Sequence, residues 1–453
     1  GHESDEPCHA ACAKRIRRLP RYGKEGWDNT SWEQYRVFYA DRYNSESAQK
    51  WSKDRASKLK QKKNKEKKGK LLNYSRADPQ QQAGMMKARE AEWAKWEQFN
   101  AGILISGKDL QEILDEGFSE TPTQWVETDK NEHLRKPGGP PVEPKYKARL
   151  VARGDLEKGI ENIRSDSPTC DIEAQNLIFS FAASNKVKIR SIDISNAYFQ
   201  GEQQDRLMLF RQPPGGLPGV DPEARILARV PIYGTKDAGR KFWKRLREVF
   251  VEKGFRENRI LKALYSYTDP ETGEVLALCG THVDDLIWAA KPKAEEAIKK
   301  VYDTFRCSDA EEGTFRYCGK EVKQDDDYNI VVTCRATTDK LKPIKVMAGR
   351  KANMPLNEEE KTQMKSIAGS LAWISRQARP DLCYRTSRVQ QMATTGLVGD
   401  IKYANKCVTY ALETAERGLT FKSGIVDWDR LGLGLSLIHI SEPTRQEAIS
   451  YAV

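Results

Sequence analysis

Glu274-Val-Leu-Ala-Leu-Cys-Gly-Thr-His-Val-Asp-Asp-Leu-Ile-Trp-Ala289 is the stretch on which the reading of this chain turns. Two apolar runs flank a short polar tip, His282-Val283-Asp284-Asp285, a pattern that predicts a β-hairpin. Adjacent aspartates at a tight turn between buried strands repel one another, and they cost stability unless something positive sits on them. A divalent cation such as Mg²⁺ suits hard oxygen ligands with open geometry. Upstream, Lys188-Ile-Arg-Ser-Ile-Asp-Ile-Ser-Asn-Ala-Tyr-Phe-Gln-Gly201 offers a third carboxylate, Asp193, at the end of another apolar run. Three strand-end carboxylates that converge form the minimal protein ligand set for two-metal phosphoryl transfer. Taken alone, an Asp-Asp pair is more often a plain acidic turn, so its weight comes from its surroundings.

Four further segments supply those surroundings. They are Tyr146-Lys-Ala-Arg-Leu-Val-Ala-Arg-Gly154, Ile232-Tyr-Gly-Thr-Lys-Asp-Ala-Gly-Arg240, Tyr317-Cys-Gly-Lys-Glu-Val322, and Gly369-Ser-Leu-Ala-Trp373 with Ala378-Arg-Pro-Asp381. In this order the set resembles the reverse transcriptase domain of copia-type LTR retrotransposon Pol polyproteins, over roughly residues 85–430. The resemblance implies an α+β right-hand polymerase with fingers, a palm built on an antiparallel sheet, and a helical thumb and connection. It implies an RNA-directed DNA polymerase that uses two Mg²⁺ ions, with Mn²⁺ as a substitute. Its partners would be an RNA template, a DNA primer and product, and dNTPs.

Carried over residue by residue, the resemblance makes Asp193, Asp284 and Asp285 the catalytic and metal-binding carboxylates. Lys147 and Arg149 are assigned to the triphosphate, and Asn196, Ala197 and Tyr198 to the nucleotide. Tyr198 is the expected steric gate against a ribose 2′-hydroxyl. Tyr233, Gly234, Lys236, Arg240, His282 and Gly319 are assigned to template and primer. Two departures stand out. The family has Gln-Ala-Pro-Arg where this chain has Asp237-Ala-Gly-Arg240, and Tyr where this chain has His282. The second motivates an alternative, a degenerate retroelement remnant that only binds nucleic acid. The integrase and RNase H regions of such polyproteins are missing from this chain. The expected location is the cytoplasm, in a virus-like particle, with the nucleus as a second site.

Composition agrees with a polyanionic partner. The 453 residues carry 76 Lys and Arg against 65 Asp and Glu, a formal net charge of +11, and basic surface releases counterions when it binds phosphates. Plain solubility is the competing explanation. No apolar run approaches the ~20 residues that span a bilayer. Nine scattered cysteines argue for free thiols in a reducing compartment rather than a disulfide framework. Cys8-His-Ala-Ala-Cys12 lacks a second ligand pair at finger spacing. The first residue is Gly, which fits a fragment of a longer translation product.

The chain divides into five regions. Residues 1–84 read as a basic, disordered linker, with a Lys- and Arg-dense stretch at 52–70 and a boundary at Gln80-Gln-Gln-Ala-Gly84. Residues 85–165 form the fingers region, 166–345 the palm with fingers elements, and 346–433 the thumb and connection. Residues 434–453 resemble a translated sequencing adapter and are set aside. Helices are expected over 87–99 with Trp93 and Trp96 as core, over 167–185, over 236–254 and over 293–305. The strand at 146–154 alternates, with Tyr146, Ala148, Leu150 and Ala152 on one face and Lys147, Arg149 and Arg153 on the other.

Overall fold

The computed structural model describes residues 71–135, 139–159 and 163–428. The Cys8–Cys12 pair, the basic stretch 52–70 and the tail 434–453 lie outside the described residues. The regular elements run α1 (Pro79–Gln98), β1 (Gly102–Ile105), α2 (Gly107–Asp115), β2 (Glu120–Asp129), β3 (Tyr146–Ala152), α3 (Ile172–Ser184), β4 (Ile189–Asp193), β5 (Leu209–Arg211), β6 (Arg225–Ala228) and α4 (Ala238–Glu252). They continue as β7 (Arg256–Glu257), β8 (Leu264–Thr268), β9 (Val275–His282), β10 (Asp285–Ala290), α5 (Glu295–Tyr302), β11 (Glu311–Glu312), β12 (Thr314–Tyr317), β13 (Lys320–Gln324) and β14 (Ile330–Thr333). The last are α6 (Arg335–Thr338), α7 (Glu358–Gln377), α8 (Cys383–Thr395), α9 (Val398–Glu413) and β15 (Leu419–Phe421). Helices and mainly antiparallel sheets in one chain make this an α+β fold, as expected.

The chain forms two units, one from residues up to 168 with 196–249, the other from 169–195 with residues from 250 onward. In the first, a five-stranded sheet runs β1-β6-β5-β2-β3. Its long β2–β3 pair follows the alternation read from the sequence, since Ala148, Leu150 and Ala152 are buried and Arg149 is exposed. Residues 196–249, read from sequence as part of the palm with its fingers elements, supply β5 and β6, because these strands pair with β1 and β2. Helix α1 starts eight residues earlier than expected. Asp78 accepts a hydrogen bond from the Gln81 N–H at 2.8 Å, Pro79 occupies the first turn, and the boundary expected at 80–84 falls inside the helix. Trp93 and Trp96 stack at 6.0 Å in the core, as expected.

In the second unit a six-stranded sheet runs β11-β4-β10-β9-β8-β7, and a four-stranded one β12-β13-β14-β15. One apolar core gathers α3, both sheets and helices α7–α9. The expected start of α3 at Ser167 is corrected to Ile172, with Asp171 as cap. The reason is local: the Cys170 N–H donates to the Thr281 carbonyl at 2.8 Å, which keeps the chain extended along β9 until Asp171. Helix α7 opens with a reciprocal cap between Asn357 and Glu360. Arg379, fully buried, clamps Asp381 with two hydrogen bonds and donates to the carbonyl of Thr414, which ends α9. The Ala-Arg-Pro-Asp segment therefore holds this helical layer together. The described cysteines are all free thiols, and no helix among the described residues is long and apolar enough to cross a membrane.

Candidate active site

In the second unit, β9 and β10 are joined by a two-residue turn of Val283 and Asp284. Val283 sits at φ +58°, a conformation that strains a β-branched side chain. The turn is held open to β4 by register and hydrogen bonds. Asp285 lies directly opposite Asp193, and the Ile194 N–H donates to the Asp284 carbonyl at 2.8 Å. Ser308 fixes the end of β4, its N–H donating to the Asp193 carbonyl at 2.9 Å and its Oγ accepting from the Asp193 N–H at 3.2 Å.

The charges report the same convergence. Burial pushes the Asp285 carboxyl up to about 6, and Asp284, Asp193 and Glu311 add to the rise. Such mutual repulsion is what a cation relieves. Among the described residues no group of three or more His, Cys, Asp or Glu side chains is arranged as a ready cage. The donor set, all carboxylate oxygen at two facing strand ends, nonetheless fits a hard divalent ion. His282 is half-buried, with Nδ1 buried and lacking a hydrogen-bond partner. Burial lowers its pKa, Asp284 opposes that, and Lys320 adds to it.

In the first unit a basic and aromatic cluster forms around β3. The Arg149 guanidinium lies 5.0 Å from the centre of the Tyr233 ring, and Tyr233 packs on Tyr198 at 4.9 Å. Lys147 has its pKa lowered by burial and by Arg149, Lys130 and Lys95, with Glu92 opposing. Tyr198 stands in a short turn, Ala197–Gln200, preceded by Asn196 at φ +50°. Ala197 itself is buried and closes that turn from within. Two motif glycines bring these segments together. A Cβ on Gly154 would meet the Gly234 carbonyl oxygen at 2.2 Å, and one on Gly234 would meet the Ala152 carbonyl oxygen at 2.2 Å. Only two bare backbones can cross so closely, and the Ala152 N–H donates to the Tyr233 carbonyl at 2.7 Å there.

The remaining expected residues are distributed as follows. Arg240 pairs with Asp166 at 2.7 Å and lies over Trp243, beside Ser167, whose hydroxyl donates to the Gly239 carbonyl. Lys236 follows the Gly234 crossing by two residues. Gly319, in the second unit, forms the β12–β13 turn with Cys318, at φ +79° and +48°, packed against Trp373. So Asp193, Asp284, Asp285 and His282 come together in one unit, and Lys147, Arg149, Tyr198, Tyr233 and Gly234 in the other. Sequence reading missed Ser308, which anchors the end of β4. It passed over Lys320 as well, although strand alternation puts Lys320 on the inward face with Val322.

Residues 114–340, half of the chain, match the family described as reverse transcriptase (RNA-dependent DNA polymerase). The Pol polyprotein from transposon RE1 of Arabidopsis thaliana is 23% identical over 295 residues, covering 62% of this chain and 20% of that protein. The Ty1-DR1 Gag-Pol polyprotein of Saccharomyces cerevisiae is 27% identical over 227 residues, 48% of this chain and 12% of that protein. The chain thus spans about a fifth or less of these curated relatives. Among solved structures, a foamy viral protease-reverse transcriptase in complex with ds DNA aligns at a TM-score of 0.42 and 12% identity, over 70% of this chain and 46% of that one.

Proposed function

Because the chain belongs to the reverse transcriptase family, of the copia type, we propose that it extends a primer 3′-hydroxyl with dNTPs on an RNA or DNA template. The observation that carries this reading is the register that sets Asp193 opposite Asp285 with Asp284 at the adjoining turn. Asp193 and Asp284 would be the principal ligands of the Mg²⁺ pair, and Asp285 the weaker partner. Bound there, the ions supply neutralisation of phosphate charge and a more acidic primer hydroxyl.

The chain's own groups do the placing. Lys147 and Arg149 bind the triphosphate, the Tyr198–Tyr233 pair shapes the sugar pocket, and the strained Val283 turn fixes the carboxylates. In this reading the five-stranded unit corresponds to the fingers, the six-stranded sheet to the palm and α7–α9 to the thumb. Integrase and RNase H regions would belong to the same polyprotein, acting in a cytoplasmic virus-like particle. A second reading, binding without polymerisation, is favoured by His282, whose buried Nδ1 lacks a hydrogen-bond partner.

Primer extension on poly(rA)/oligo(dT) with Mg²⁺ separates the two. The polymerase reading expects product, and Asp284→Asn should slow extension by about 10²–10³-fold or more while duplex binding persists. Binding without any product from the parent chain would favour the second reading. An Asp284→Asn protein as fast as its parent would refute the carboxylate mechanism.

A further inference from the structure

Lys320 breaks the pattern of its strand. It shares the inward face of β13 with Val322 and Gln324, and it is fully excluded from solvent. Among the described residues no ion pair reaches its ammonium. Its Nζ donates to Gln175 Oε1, and the Phe179 ring centre lies 5.8 Å away. Burial pushes its pKa down. An ammonium with one neutral acceptor in a packed core costs stability. Gln175 also lies near the start of α3, the positive end of that helix's dipole, which adds to the cost. Where a core tolerates such a charge, a role other than stability is the physical expectation.

The contacts of Lys320 suggest that role. On one side it closes the β12–β13 hairpin, paired with Tyr317 across the Cys318–Gly319 turn. On the other, Gln175 Nε2 donates to the Cys170 carbonyl at 2.9 Å, and the Cys170 N–H donates to the Thr281 carbonyl at 2.8 Å. Thr281 immediately precedes His282 at the acidic turn. There is no slack between these segments, since a Cβ on Gly280 would sit 2.5 Å from Cys170 Sγ.

We propose that Lys320 is a positioning residue for nucleotidyl transfer: the buried Lys320–Gln175–Cys170–Thr281 linkage holds the 317–320 turn in fixed register with the hairpin that carries Asp284 and Asp285. The proposal rests on the polymerase reading, in which the first turn holds the primer backbone and the second holds the metal ligands. Lys320 touches no substrate. It sets the spacing between a gripped primer and the carboxylates that act on its 3′-hydroxyl, and small errors in such spacing cost rate rather than binding.

The test uses Lys320→Met, which removes the charge at similar length, and Gln175→Glu, which gives the ammonium a carboxylate but removes the N–H donated to the Cys170 carbonyl. Both are compared with the full parent chain by amide hydrogen exchange, thermal unfolding and single-turnover primer extension. In Lys320→Met the amides of Cys170 and Ile194 should exchange at least about tenfold faster, with a Tm equal to or above the parent's. Extension should slow about tenfold or more with the primer–template KM within about twofold. Gln175→Glu keeps the Lys320 contact as an ion pair but cannot donate to the Cys170 carbonyl, so it should match Lys320→Met in faster exchange at Cys170 and in extension slowed about tenfold. Parental exchange at those amides, or a rate loss matched by a lowered Tm, would reduce Lys320 to a packing residue and overturn the proposal. A parent that extends no primer sinks the polymerase reading instead, and the exchange data still decide whether the linkage exists.

Discussion

At position 237 the family's usual glutamine is an aspartate here, and Arg206 accounts for it. The guanidinium donates to both carboxylate oxygens, at 3.2 and 3.1 Å, and also pairs with Glu157. Burial works to raise the Asp237 pKa, but Arg206 and then Lys241 outweigh it, so the group ends below the ordinary carboxylate range. Glu157 shares the same arginine and goes the other way, because burial dominates and the Asp237 charge adds to it. The stronger pair is therefore Asp237–Arg206, which alone makes two hydrogen bonds. A carboxyl lowered in the folded state stabilises above its unfolded value of 3.8 and loses that contribution as pH falls through its folded value. Asp237→Asn should cost about 3 kcal/mol at pH 7 by urea unfolding and should flatten the loss of stability below pH 3.8 that is expected of the parent. Equal acid limbs in the two proteins would count against this assignment. Tyr198 carries a second expectation at this scale. Tyr198→Ala should lower dNTP-over-rNTP discrimination by roughly tenfold or more in competition assays, and unchanged discrimination would remove the gate.

Among the elements, the crossing of the β3 end with the Tyr233–Gly234 turn is the least forgiving. Gly154→Ala and Gly234→Ala each drive a methyl into a backbone oxygen that no rotamer can clear. Each should cost about 2–3 kcal/mol or more, read as a lowered urea midpoint at unchanged m-value. A parental midpoint would mean the crossing is looser than described. Both glycines were legible as motif letters, whereas their mutual contact was not, because 80 residues separate them in sequence. The same holds elsewhere. Alternation exposed β3, and two apolar runs around His282–Asp285 exposed the hairpin, since those patterns are local. The start of α3 was misplaced because Ser167 and Asp171 are both competent caps, and a hydrogen bond to β9 selects the second. The start of α1 was hidden by a run of glutamines, although Asp78-Pro79 carried the signal. Lys320 and Arg206 drew no attention because a lone cation in sequence reads as surface until its burial is seen.

For the molecule as a whole, the order of motifs carried most of the functional reading, and the division into units carried least. The chain passes from one unit to the other after residues 168, 195 and 249, so Asp193 and Tyr198, five residues apart, belong to different units. Tertiary contacts rather than sequence pattern mark those passages, because apolar strands are buried in both units. A net charge of +11 suits a nucleic-acid partner, and the account then expects duplex affinity to fall steeply as salt rises. Its central claim is narrower: Asp193 and the Asp284–Asp285 turn hold the same divalent ions. Iron-directed cleavage tests it directly: Fe²⁺ replaces Mg²⁺, and added hydrogen peroxide, reduced by the iron with ascorbate recycling it, gives hydroxyl radicals that cut the backbone beside the bound metal. The account predicts cuts both at 193–194 and at 283–285, suppressed by excess Mg²⁺ and absent at the acidic turns around Asp269 and Asp325. Cuts at only one of the two strand ends, or at those other turns instead, would contradict it.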